Sequence, residues 1–65
     1  MWVITPDGNA VDNNTGEEIY VDYGSDAVFR VYRKHKPINF FTSFNDARDY
    51  IKTLADKLNG ADDID

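Results

Sequence analysis

Only one stretch of this chain has a helical period, and it comes last. From Ser43 to Asn59, Ala47, Ile51, Leu54 and Leu58 recur at spacings of three and four, with Phe44 or Tyr50 at the flank of the stripe. Asp49, Lys52, Asp56 and Lys57 fall on the opposite side, and Lys52 and Asp56 form an i,i+4 pair worth at most ~0.5 kcal/mol. Ser43 suits the N-cap, with Asp46 three residues on as the acidic form of the capping box. Asn59-Gly60 reads as the stop, Gly60 being free to take the left-handed conformation after the last turn. A lone amphipathic helix must bury its stripe against another element, and everything before Ser43 has strand character.

Trp2 to Thr5 reads as a short strand, ended by Pro6. Pro6-Asp7-Gly8 is a turn with a mechanism: Pro6 presets φ, Asp7 tolerates the second position, and Gly8 supplies a positive φ. The expected product is a hairpin bulged at Gly8, with Ala10-Val11 as the returning strand. Asp12 to Gly16 is a dense run of loop formers. In Ile19–Tyr23 the alternation puts Ile19, Val21 and Tyr23 on one face and Tyr20 and Asp22 on the other. Gly24-Ser25-Asp26 turns the chain into Ala27–Arg33, where Ala27, Phe29 and Val31 oppose Val28, Arg30 and Tyr32. Lys34-His35-Lys36-Pro37 reads as a polar turn, and Ile38–Thr42 as a further strand. Phe40 and Phe41 are adjacent, so a regular strand cannot bury both, and its phase stays open.

Strands first and one helix last define an α+β class. Short turns make the strands antiparallel neighbours. The expected architecture is an antiparallel β-meander of three to four strands with one C-terminal amphipathic helix packed on one face. With 65 residues there is room for one domain, over residues 1–60, and 61–65 reads as an acidic flexible tail. A chain this short has no second layer for the other face of the sheet.

Phe41-Thr42-Ser43-Phe44-Asn45-Asp46-Ala47-Arg48-Asp49-Tyr50-Ile51 resembles an F-x-[ST]-x-x-[DE]-A-x-x-Y-[IL] junction. That junction closes many very small bacterial and phage proteins built as a strand meander plus one C-terminal helix. The resemblance implies the same element order and a phage or mobile-element setting. It implies no catalytic residue, because such proteins mostly lack an assigned activity.

Charge is distributed in blocks. Residues 1–29 hold six acids and no base, residues 30–45 hold four bases and no acid, and the net charge is -5. The chain has no cysteine, and its N-terminal apolar run stops at Thr5 with no basic region before it. This pattern is not that of a signal peptide or membrane span, and the expected location is cytoplasmic.

No constellation for catalysis is legible, so the chain is not expected to be an enzyme. His35 is the only histidine; with no nucleophile or orienting carboxylate near it in sequence, it reads as a turn residue. Asp12-Asn13-Asn14-Thr15-Gly16-Glu17-Glu18 departs from a calcium loop, because the glycine comes one position early and Tyr23 stands where the bidentate Glu is needed. Neither metal nor cofactor is expected. Trp2 reads as a plug at the core edge.

The bare sheet face carries the functional expectation: a small non-enzymatic interaction module acting on a host protein or on a second copy of itself. Its candidate surface is Tyr20, Asp22, Arg30, Tyr32, Arg33, Lys34 and Lys36. A variant is polyanion mimicry by an acidic ribbon of Asp12, Glu17, Glu18, Asp22 and Asp26. The alternative is single-stranded nucleic-acid binding, with tyrosines stacking on bases and the basic hairpin holding phosphates; the net charge opposes it at long range.

Overall fold

The order of elements follows the sequence, with more strands than expected. A computed structural model describes residues 1–63. It contains β1 (Trp2–Ile4), β2 (Ala10–Asp12), β3 (Glu18–Tyr23), β4 (Phe29–Arg33), β5 (Lys36–Phe41) and α1 (Phe44–Asp63). The strands form one antiparallel meander in the order β1-β2-β3-β4-β5. The count is thus five rather than three to four, because the short β1 and β2 both join the sheet.

Turn chemistry explains the joints. Gly8 has φ +91°, its N–H donates to the Thr5 carbonyl at 2.9 Å, and Thr5 N–H donates to the Asn9 carbonyl at 2.8 Å. This is the expected three-residue loop bulged at Gly8. At this φ a side chain is strained, and a Cβ would also lie 2.8 Å from Arg48 Nε on the helix.

Two other turns depart from expectation. Ala27 belongs to the β3–β4 loop rather than to a strand, at φ 62°, where glycine is normal. The β4–β5 turn is only Lys34-His35, both at positive φ (55° and 63°), so Lys36 and Pro37 are already in β5. Two consecutive left-handed residues make a type I′ turn, which matches the sheet's twist although neither residue is Gly or Asn. Pro37 is tolerated because β5 is an edge strand.

A register shift opposite Val31/Tyr32 leaves Ile38 as an extra residue in β5. Beyond it Phe41 pairs with Phe29 and packs against the core, while Phe40 pairs with Arg30 and is 70% exposed. The bulge therefore does not bring both phenylalanines inward.

The core is one-sided. Trp2, Ala10, Ile19 and Val31 from the sheet meet Ala47, Ile51 and Ala55 from the helix. Leu54, Leu58 and Tyr50 flank this line half-buried, so Ala55 rather than Leu54 continues it after Ile51. Trp2 is buried, as its reading as a core plug requires. Ser43 stands at the N-cap, its carbonyl accepting from Ala47 N–H at 3.1 Å, but among the described residues no side-chain hydrogen bond closes a capping box with Asp46. Lys52 and Asp56 do not form an ion pair among the described residues.

The helix does not stop at Gly60; it continues to Asp63. Glycine inside a helix costs only about 1 kcal/mol relative to alanine, and Gly60 is not at positive φ. The expected tail is therefore helical at 61–63, and Ile64 and Asp65 lie outside the described residues.

Asn59 has a task other than capping. Met1 and Thr5 direct their backbone groups toward β2, so Trp2 between them turns its N–H and carbonyl to the free edge of β1. Asn59 Oδ1 accepts from Trp2 N–H at 2.7 Å, and its Nδ2 donates to the Trp2 carbonyl at 3.0 Å. The helix thus blocks that edge with one amide.

Two stability outcomes follow. Asn59→Ala should destabilise by about 1–2 kcal/mol through lost, partly buried hydrogen bonds, lowering Tm and accelerating exchange of the Trp2 amide; an unchanged melt would contradict this role. Ala27→Gly, and Lys34→Asn combined with His35→Gly, should each stabilise by about 1 kcal/mol by relieving left-handed strain. At this size that corresponds to roughly 4–8 °C in a thermal melt; a lowered Tm would overturn the strain argument.

Candidate interaction face

The β3–β4 register decides which side chains share the uncovered face. Tyr20 pairs with Tyr32 and Asp22 with Arg30, all four on the side away from the helix. The two tyrosine rings stack with centroids 5.4 Å apart and planes 9° from parallel. His35 leans on Tyr20 at 6.5 Å. Phe40 lies on the same face beyond Arg30. Val3 and Val11 extend it on the first two strands, Val3 being 48% exposed. A groove of about 430 Å³ is lined by Arg30, Pro37, Ile38, Asn39 and Phe40. Another of about 380 Å³ lies over Gly16, Glu17, Glu18, Tyr20, Lys34 and His35.

Not every candidate residue reaches this face. Arg33 pairs with Ile19 and so points to the helix side, where its guanidinium lies 5.6 Å from the centre of the Trp2 ring. Its Nε donates to Glu17 Oε2 at 2.7 Å. Lys36, opposite Arg33, shares that side. Lys34 borders the bare face from the turn. The set Tyr20, Asp22, Arg30, Tyr32 and Lys34 is brought together; Arg33 and Lys36 are separated from it by strand alternation.

The acidic ribbon is interrupted by pairing. Asp12 Oδ1 accepts from the Met1 ammonium at 3.1 Å and from Asn14 N–H at 3.0 Å. The Asn14 amide, aided by the ammonium and Thr15, holds the Asp12 carboxyl below its ordinary range. Asp26 takes two bonds from Arg30, at 2.6 and 3.3 Å, and one from Val28 N–H at 3.3 Å. Gly24 leaves space for this pair, since a Cβ there would lie 2.7 Å from both partners. The guanidinium holds the Asp26 carboxyl low, and Asp26 in turn raises Arg30. With Glu17 on Arg33, only Glu18 and Asp22 of the ribbon have no ion-pair partner among the described residues.

Phe40 and Ile38 were absent from the candidate set, although they are the exposed apolar part of the face. The adjacency of Phe40 and Phe41 was the signal, because one of two neighbours on a strand must point outward. Among the described residues, no three His, Asp or Glu side chains converge as metal ligands, and no helix is long and apolar enough to cross a membrane. No protein family, curated protein or solved structure matches this chain in comparison with known proteins.

The Asp26–Arg30 pair gives a pH dependence of defined sign. The unfolded carboxyl takes its proton near the ordinary value of 3.8, while the folded one holds out to lower pH. The pair therefore contributes stability above that value and loses it as pH falls through the lowered folded pKa. Tm of the native chain should fall more steeply between about pH 5 and 2 than that of Asp26→Asn. Equal slopes in the two melts would contradict the pair's contribution.

Proposed function

We propose that this chain is a non-catalytic protein-interaction module that binds through the bare face of its sheet. The observation that carries the reading is an aromatic surface left open on one side of a one-sided core, with Phe40 70% exposed beside Arg30 and Ile38 on the face that also carries the Tyr20–Tyr32 stack. Exposed apolar clusters rimmed by polar groups are characteristic of interfaces, and Tyr, Phe and Arg are the side chains enriched in them. Charged rims here come from Glu18, Asp22, Arg30 and Lys34.

The nucleic-acid alternative has weaker support. The tyrosines stack on each other, so each offers one π-face rather than two to a base. Arg30 and Arg33 are already held by Asp26 and Glu17, leaving Lys34 and Lys36 as the unpaired cations of the hairpin among the described residues, in a chain of net charge -5. Polyanion mimicry is weakened by the same pairs, which neutralise Asp26 and Glu17, and by the ammonium on Asp12.

A photo-crosslinking amino acid placed at position 40 or 32, and separately at Thr53 on the exposed side of the helix, tests the reading in the native cell. Discrete protein adducts are expected from the sheet positions and not from position 53. No adduct from either sheet position, or the same adducts from all three, would overturn it.

A further inference from the structure

We propose that the occupant of the bare face is a second copy of this chain, stacked face to face about a two-fold axis parallel to the strands and running between β3 and β4. This inference rests on the interaction reading above and names its partner. Along its outer side β3 presents Glu18, Tyr20 and Asp22: acid, ring, acid. Along the same side β4 and its turn present Arg30, Tyr32 and Lys34: base, ring, base. Tyr20 stands beside Tyr32 and Asp22 beside Arg30, while Glu18 and Lys34 border one groove.

A two-fold axis along the strands exchanges β3 for β4. It lays Glu18 over Lys34 of the second copy, Tyr20 over Tyr32, and Asp22 over Arg30. A two-fold axis across the strands would lay Glu18 over Asp22 and Arg30 over Lys34, joining like charges. The charge pattern thus selects one closed, isologous arrangement. Glu18, Asp22 and Lys34 have no ion-pair partner of their own among the described residues, so they are available across the interface.

The edge of the sheet is a poorer contact. On β5, Pro37 lacks an N–H, Ile38 is bulged, and Phe40 N–H is covered by Asn39 Oδ1 at 2.8 Å. These are features that discourage strand addition. At the far edge Asn59 occupies Trp2. What remains open is a face of five strands about 4.8 Å apart. With the axis between β3 and β4, β2 to β5 overlap in the two copies and bury on the order of 1,000 Å², the low end of specific interfaces.

Sedimentation equilibrium of the purified chain up to millimolar concentration tests this, with three proteins whose folding is checked by thermal melts. Glu18→Lys and Lys34→Glu change exposed side chains and leave the core untouched. The native chain should dimerise, and each variant alone should weaken association at least tenfold, since Lys then faces Lys or Glu faces Glu. An equimolar mixture of the two variants should restore the dimer as a heterodimer, because every facing pair is again opposite in sign. A native chain that stays monomeric, variants that dimerise as it does, or a mixture that fails to recover would each overturn the proposal. Crosslinking of positions 32 and 40 to another protein would still stand in those cases, so the two readings fail separately.

Discussion

The structure depends on burying Ile51 of the helix in one core with Ile19 and Val31 of the sheet. These are the largest fully buried side chains, and they come from α1, β3 and β4. The other fully covered positions, Ala10, Ala47 and Ala55, are small. A chain of 65 residues has one such contact to make. Its helix spends the whole apolar stripe on one side, and none of the described elements covers the reverse.

The charges are arranged by the same geometry. A sequence with an acidic first half and a basic island suggests two opposed surfaces. In the folded chain the island meets the acids: Arg30 closes on Asp26 four residues before it, and Arg33 on Glu17 sixteen residues before it. Such exposed or half-exposed pairs contribute little to stability individually. They also break up the strong single-sign patches that the sequence suggests. What persists is an alternation of sign between neighbouring strands around two tyrosines, the pattern on which the proposed dimer rests.

Much of the fold was legible from local rules. The Gly8 bulge, the faces of β3 and β4 and the buried side of the helix all follow from turn chemistry and periodicity, which act over a few residues. Where sequence reading missed, either the surrounding fold overrode a local preference or the preference was too weak to decide. Ala27 and Lys34-His35 accept left-handed backbone because the paired strands on either side demand tight turns. Gly60 stays helical instead of ending the helix. Ala55 rather than Leu54 is the fully buried position of its turn, with Leu54 half-buried beside it.

The candidate site divides in the same way. Tyr20, Tyr32, Asp22 and Arg30 were placed together by alternation and by the short β3–β4 turn, information that the chain carries locally. The partners of Arg33 and the exposure of Phe40 were not. Strand alternation turns Arg33 to the helix side, where Trp2 and Glu17, from other elements, receive its guanidinium. Phe40 joins the face because a bulge fixes the phase of β5 against β4. The sequence by itself determined that one helix would cover one side of a meander, since periodicity and turn residues are properties of neighbours along the chain. Only the tertiary structure decided which charges cancel and which ring stays exposed, since those depend on register and on groups brought together from distant positions.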